Sequence, residues 1–199
     1  MKTTLATLTV LLAAAPFGSA AITSTLGGCV QISPPAVADF PTLNGPFAQC
    51  WDEQQNRTGV VQADLISIPG SNSFPVPGVL FGTCDSHFIH WTASSVQQVS
   101  GTVFFNNPVV AVAWGDNFLD LTDGAWGAGG TIYPTGQIGR GINAAALVSA
   151  AGNMVHFQYT GVSGAIEIEQ VRVWTQVPTP GGCSVAAIGG LAALRRKRR

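Results

Sequence analysis

Three aspartates fall within eight residues, Asp116, Asp120 and Asp123, in the segment Gly115-Asp116-Asn117-Phe118-Leu119-Asp120-Leu121-Thr122-Asp123-Gly124. Calcium takes six to eight oxygens from carboxylates, carbonyls and amide side chains. A glycine-flanked loop can converge them, with Asn117 and Thr122 as added donors. The spacing is not that of an EF-hand, and it equally suits a solvated acidic turn after a core strand. Ca²⁺ at these three aspartates is the one cofactor the sequence offers; otherwise none is expected.

Next to this cluster lies Trp126, in a stretch rich in Gly and Ala with Tyr133 close behind. An aromatic face on such a loop, beside Asn117, Asp120 and Asp123, is the kind of platform on which a sugar ring stacks while its hydroxyls bond to polar neighbours. The competing reading folds Trp126 back as a lid over one end of the protein. Glu167 and Glu169 stand two apart on a strand-like segment, about 7 Å from each other by strand rise. That separation would suit a glycosidase pair, but the pattern is more simply an outward, solvated face. His87 and His90, three apart in extended chain, point to opposite faces and do not share a metal. Asp85, Ser86 and His87 are adjacent, so they do not make a hydrolase triad, and there is no nucleophile-elbow motif. No catalytic residue is assigned. Trp174 alternates with Arg172 and is expected to lie exposed beside it as a cation–π partner.

The elements that must position these groups are short apolar segments broken by Gly, Pro, Asn and Ser, the pattern of antiparallel sheet. Strands are predicted at about 60–68, 87–91, 99–106, 109–114, 131–133, 154–160 and 165–174, with no sustained helical period. Val155, Phe157 and Tyr159 share a core face opposite His156 and Gln158. Ile166 and Ile168 run out of phase with Val171 and Val173, predicting a β-bulge at Glu169-Gln170. Asn107-Pro108 marks a tight connection. Residues 22–58, with Pro34-Pro35 and Pro41, are expected to form an ordered excursion with little regular structure. The fold class is all-β, a two-sheet β-sandwich of jelly-roll type.

The two ends differ from this body. Lys2, the apolar run Leu5 to Ala15 and the small residues Gly18-Ser19-Ala20-Ala21 read as a secretory signal peptide over residues 1–21, a substrate of signal peptidase. At the other end, residues 177–199 form a Pro/Gly break, a 12-residue apolar stretch from Cys183 to Leu194 and a basic terminus. A stable span needs about 20 apolar residues, so this C-terminal apolar helix is a marginal transmembrane anchor, and the five cations behind it stay on the cytoplasmic side. Between the ends, residues 22–176 form one β-sandwich domain. They keep three arginines against all ten carboxylates and no lysine. Such an acidic surface excludes nucleic acid, whose phosphates need Lys and Arg, and disfavours anionic lipid. Three cysteines lie in the exported body, Cys29, Cys50 and Cys84. In an oxidising compartment two of them can pair. Cys50 with Cys84 is favoured, because both flank strand-like segments while Cys29 lies near the new N-terminus.

Val177-Pro178-Thr179-Pro180-Gly181, the apolar run and Arg195-Arg196-Lys197-Arg198-Arg199 together resemble the PEP-CTERM class of C-terminal sorting signals. These are recognised by exosortase-type membrane transpeptidases of Gram-negative bacteria that make extracellular polymer. The resemblance covers these 23 residues. Thr179 stands where that class carries an acidic residue, and Gly182-Cys183 is similar to the processing element of related tails cut by other intramembrane proteases. The body resembles β-sandwich regions of unassigned activity in exported proteins with such tails. The resemblance implies export, transient anchoring in the inner membrane, and release to the cell surface or extracellular matrix. The reading is a non-enzymatic surface protein, with a carbohydrate-binding module on extracellular polysaccharide as the alternative and a secreted hydrolase as the second.

Overall fold

The computed structural model describes residues 21–66, 76–93, 97–137, 139–161 and 167–177. The stretches expected to be a signal peptide (1–21) and a sorting segment (177–199) lie outside them apart from Ala21 and Val177. In chain order the elements are β1 Ile22–Gly27, β2 Cys29–Gln31, β3 Ala48–Asp52, β4 Arg57–Ile66, β5 Val76–Ala93, β6 Gln98–Phe105, β7 Val109–Ala113, α1 Asp116–Trp126, β8 Arg140–Gly141, β9 Leu147–Ala151, β10 Met154–Thr160 and β11 Glu167–Gln176.

The protein is a mostly-β sandwich of two sheets. The smaller runs β1-β6-β10-β9, and the larger β2-β3-β5-β4-β7-β11-β8 with β5 also paired to β11. Parallel pairs at β2–β3 and β8–β11 in a seven-stranded sheet distinguish this order from an eight-stranded jelly roll. The 18-residue β5 carries the larger sheet. Its first half pairs with β4, while its second half lies between β3 and β11. Asn106, Asn107 and Pro108 carry the chain from one sheet to the other in three residues.

Alternation decided the smaller sheet. Val155, Phe157 and Tyr159 are buried, with His156 exposed opposite them, and they pack with Val99, Val103 and Phe105 of β6 against Ile89, Trp91, Val171 and Val173 of the larger sheet. The larger sheet is buried on its other face too. There Trp51, Phe88, Ala111 and Trp174 meet α1 and the loops. Strands covered on both faces have no polar side to alternate with, and every residue of β7 is buried.

This double burial corrects several expectations. The phase change in β11 is no bulge at Glu169-Gln170, because its ladder with β5 is regular from Glu167 to Gln176. The irregularity lies one strand over: Trp174 pairs with Ala111 and Thr175 with Val109, leaving Val110 as the extra residue. The strand expected at 131–133 is a single bridge from Ile132 to Val37. The N-terminal excursion contains three strands. The acidic segment is a helix rather than a loop.

Helix α1 turns Leu119, Thr122 and Trp126 inward, spaced i, i+3 and i+7 on one face. Its entry has no side-chain cap at Gly115. Instead the Asp64 carboxylate accepts the N–H groups of Trp114 and Gly115, each at 2.7 Å. The exit requires glycine, since a Cβ at Gly127 would lie 2.6 Å from the Asp123 carbonyl oxygen. Among the described residues no helix is long and apolar enough to cross a membrane.

Candidate functional site

The distinctive chemistry of the body is a buried chain of charged and polar groups between the larger sheet and α1. Arg172, on the middle of β11, is 0% exposed. Its Nε donates to Glu53 Oε2 at 2.8 Å and its Nη2 to Glu53 Oε1 at 3.0 Å, a two-pronged pair. Nη2 also reaches Asp123 Oδ1 at 3.0 Å, and Nη1 donates to Thr122 Oγ1 at 2.7 Å. The guanidinium lies 4.9 Å from the Phe88 ring centroid and 5.1 Å from that of Tyr133. Burial opposes its charge, but Glu53 and Asp123 outweigh this and hold the Arg172 pKa above its ordinary value.

A second buried arginine extends the chain. Arg140, on β8, donates from Nη1 to Asp120 Oδ1 at 2.7 Å and from Nη2 to Asp123 Oδ1 at 2.9 Å. Its Nε reaches Gln170 Oε1 at 2.5 Å. Gly141 makes this close passage feasible: its φ is +112°, and a Cβ there would fall 2.1 Å from the Trp114 carbonyl oxygen. Gln170 Nε2 donates to the Ala38 carbonyl and to His90 Nδ1, both at 2.9 Å. With Nδ1 accepting, the His90 proton sits on Nε2 and points at the Leu43 carbonyl, 3.4 Å away. Burial pushes the His90 pKa down to about 4, and the charge of Arg140 works in the same direction. His90 is therefore neutral at pH 7.

These contacts reassign the predicted site residues. Asp120 and Asp123 do come together, but around Arg140 rather than a cation. Asp123 Oδ2 also accepts the Thr135 hydroxyl at 2.5 Å, and Asp120 Oδ2 the Gly136 N–H at 2.8 Å. Burial would raise the Asp123 pKa, yet the hydrogen bonds of Arg140 and the charge of Arg172 bring it below the ordinary carboxylate range. Asp116, one turn before Asp120, has no hydrogen bond to either arginine; burial, then the Asp120 charge, raises its pKa against the pull of Arg140. Among the described residues no group of three or more His, Cys, Asp or Glu is arranged to hold a metal ion.

The sugar platform dissolves for the same reason. Trp126 is 1% exposed, donates its indole N–H to the Val60 carbonyl at 2.9 Å and packs edge-on against Trp174. Tyr133 gives its hydroxyl proton to Glu53 and accepts the Ala128 N–H, and burial followed by the Glu53 charge raises its pKa. Neither ring is free to stack on a ligand, and Asn117 is exposed in the first turn of α1. Trp174 is buried too, and Arg172 lies over Phe88 and Tyr133 instead. Glu169 is buried rather than solvated, accepting the Asn143 N–H at 3.1 Å.

One arrangement escaped sequence reasoning altogether. His87 Nδ1 lies 2.6 Å from Asp52 Oδ1, and His87 Nε2 lies 3.0 Å from Thr175 Oγ1. Carboxylate, imidazole and hydroxyl stand in the order a nucleophilic relay uses. The hydroxyl cannot serve a substrate here, because Thr175 and His87 are fully buried and the Phe105 ring covers the imidazole at 4.7 Å. The relay holds β3, β5 and β11 in register. Its members lie 35 and 88 positions apart, so no local motif announces it. No family model matches the chain, and it matches no curated protein and no solved structure.

Proposed function

We propose that this chain is an exported protein, sorted by its C-terminal segment to the cell surface or extracellular matrix, whose β-sandwich acts without catalysis as a stable acidic body. The pairing of two terminal address segments around a self-contained body carries this reading. Inside that body the groups able to do chemistry are turned on one another: Asp120 and Asp123 on Arg140, Glu53 on Arg172, and His87 on Asp52 and Thr175. The proposed processing partners are signal peptidase and an exosortase-type transpeptidase acting on Val177 to Cys183. In this reading the terminal segments act as short flanking helices during transit.

Intact-mass measurement of the protein recovered from outside the exporting cell tests this. The expected species begins near Ala21, ends between Pro180 and Cys183 and lacks Arg195 to Arg199. A recovered species that retains the arginine cluster would overturn the sorting assignment. Replacing the five cations by neutral residues should reduce correct sorting.

A further inference from the structure

Residues 32–47 form a strap that leaves β2, crosses the buried polar chain and returns as β3. Its carbonyls receive key donors: Ala38 that of Gln170, Leu43 those of His90 and Thr92, and Pro35 the Thr131 hydroxyl at 2.6 Å. Cysteines in the two flanking strands bracket the strap. Cys29 opens β2 and Cys50 lies in β3, the parallel neighbour, where the register pairs Cys29 with Ala48 and Gln31 with Cys50. The two cysteines thus lie diagonally across one ladder, two positions apart.

We propose that oxidative folding closes a Cys29–Cys50 disulfide at the base of this strap, leaving Cys84 as a buried thiol. Both side chains enter the same core between the two sheets. The Cys50 thiol leans back toward β2 and points at the Val30 carbonyl, 3.6 Å away. The neighbouring Cys29 thiol, with burial, raises the Cys50 pKa far above its ordinary value. Both are free thiols in this structure, and a diagonal pair, about 7–8 Å apart, can be bridged only if the backbone shifts. The adjustment falls on β2, a three-residue strand at the edge of its sheet.

Cys84 is the wrong partner for Cys50, although the sequence favoured it. It belongs to the core on the opposite face of the larger sheet, beside Trp51 and Phe88, so a bond to Cys50 would have to pass through that sheet. Burial, then the Asp85 charge, raises its pKa to about 11, which keeps it a thiol at neutral pH.

The oxidant is an external disulfide. One cysteine thiolate attacks it, forming a mixed disulfide and releasing one thiol. The second cysteine attacks the mixed disulfide and releases the other, so the protein loses two hydrogens and the oxidant gains them. Because Cys29 and Cys50 are buried once folded, this exchange belongs to folding, before the sheets close. In the cell this closure requires an oxidising compartment, whereas refolding in a glutathione couple supplies the oxidant directly.

The test uses the full chain, unfolded in denaturant with reductant and refolded in a couple of reduced and oxidised glutathione. Cleavage on the N-terminal side of aspartate separates the three cysteines, since Asp39 lies between Cys29 and Cys50 and Asp52 and Asp64 between Cys50 and Cys84. The expected map joins peptide 39–51 to the one containing Cys29 and leaves Cys84 and Cys183, each on its own peptide, open to alkylation after denaturation. Reducing the bond should lower the melting temperature by roughly 6–12 °C, as expected for closing a loop of this size in a domain of this length. Cys84→Ser should keep the link. Peptide 39–51 joined to peptide 64–84 or to the peptide containing Cys183, or four alkylated cysteines after oxidative refolding, would overturn the proposal.

Discussion

The two faces of the larger sheet are buried equally well and by different chemistry. Toward the smaller sheet, β5 and β11 present Ile89, Trp91, Val171 and Val173 to Val103, Phe105, Val155 and Phe157. Toward α1 and the strap, the same two strands present His90, Gln170 and Arg172 among Trp51, Phe88 and Trp174. On the first face these apolar side chains gain by leaving water, and a neighbour of similar volume would serve; His87, Glu169 and Thr175, which share its phase on the two strands, are its polar exceptions. On the second each charge loses hydration, which only its partners offset. The first face therefore tolerates change in proportion to volume, while the second depends on who pairs with whom.

Removing one partner from the second face breaks this comparison most severely. Arg172→Ala would leave Glu53, fully buried, and Asp123 without their cation. The expected loss is about 3–5 kcal/mol in urea unfolding, as for other buried pairs broken from one side. Phe157→Ala on the first face should cost a similar 3–5 kcal/mol. The second substitution separates them. Adding Glu53→Gln to Arg172→Met should recover much of the loss, because no buried charge is then left alone, whereas no polar partner exists to rescue Phe157→Ala. A loss below about 1 kcal/mol for Arg172→Ala would mean that water reaches the pair.

Trp126→Ala comes next, at about 3 kcal/mol or more, with the cavity left between α1, Trp174 and β4 adding to the lost burial. An exposed stacking residue would cost little, so a melting temperature that hardly moves would return Trp126 to the surface. Sequence reasoning had placed it there because of what surrounds it. Gly124, Gly127, Gly129 and Gly130 read as a loop, and three aspartates with no capping side chain lower helix propensity. The signal that was present is the i, i+3, i+7 spacing of Leu119, Thr122 and Trp126, only two turns long. By contrast Val155, Phe157 and Tyr159 were legible, since a strand with one wet face alternates. The partners of Arg172 were not legible: Glu53 is 119 positions away, and nothing local to either residue marks the other. Composition carried one usable hint. A body with only three arginines commits two of them, Arg140 and Arg172, to its interior.

The smallest expected effect is a pH dependence carried by His90 on the second face. His90 is buried among Gln170, Thr92, Trp51 and the Leu43 carbonyl, with Arg140 the nearest charge, and its pKa in the folded protein is down to about 4. In the unfolded chain a histidine titrates near 6.5. As pH falls below about 6.5, the unfolded state takes the proton and the folded state does not, so stability declines until the folded pKa is passed and then levels off. Between pH 7 and pH 5 the loss from this residue should be about 2 kcal/mol. Asp123 does not blur the window, because its pKa lies below the ordinary carboxylate value and its contribution is lost only in stronger acid. Urea unfolding of wild type and His90→Gln at both pH values isolates the term. The wild type should lose about 2 kcal/mol more than the variant; equal losses would mean that His90 accepts its proton in place, with the strap moving aside to hydrate it.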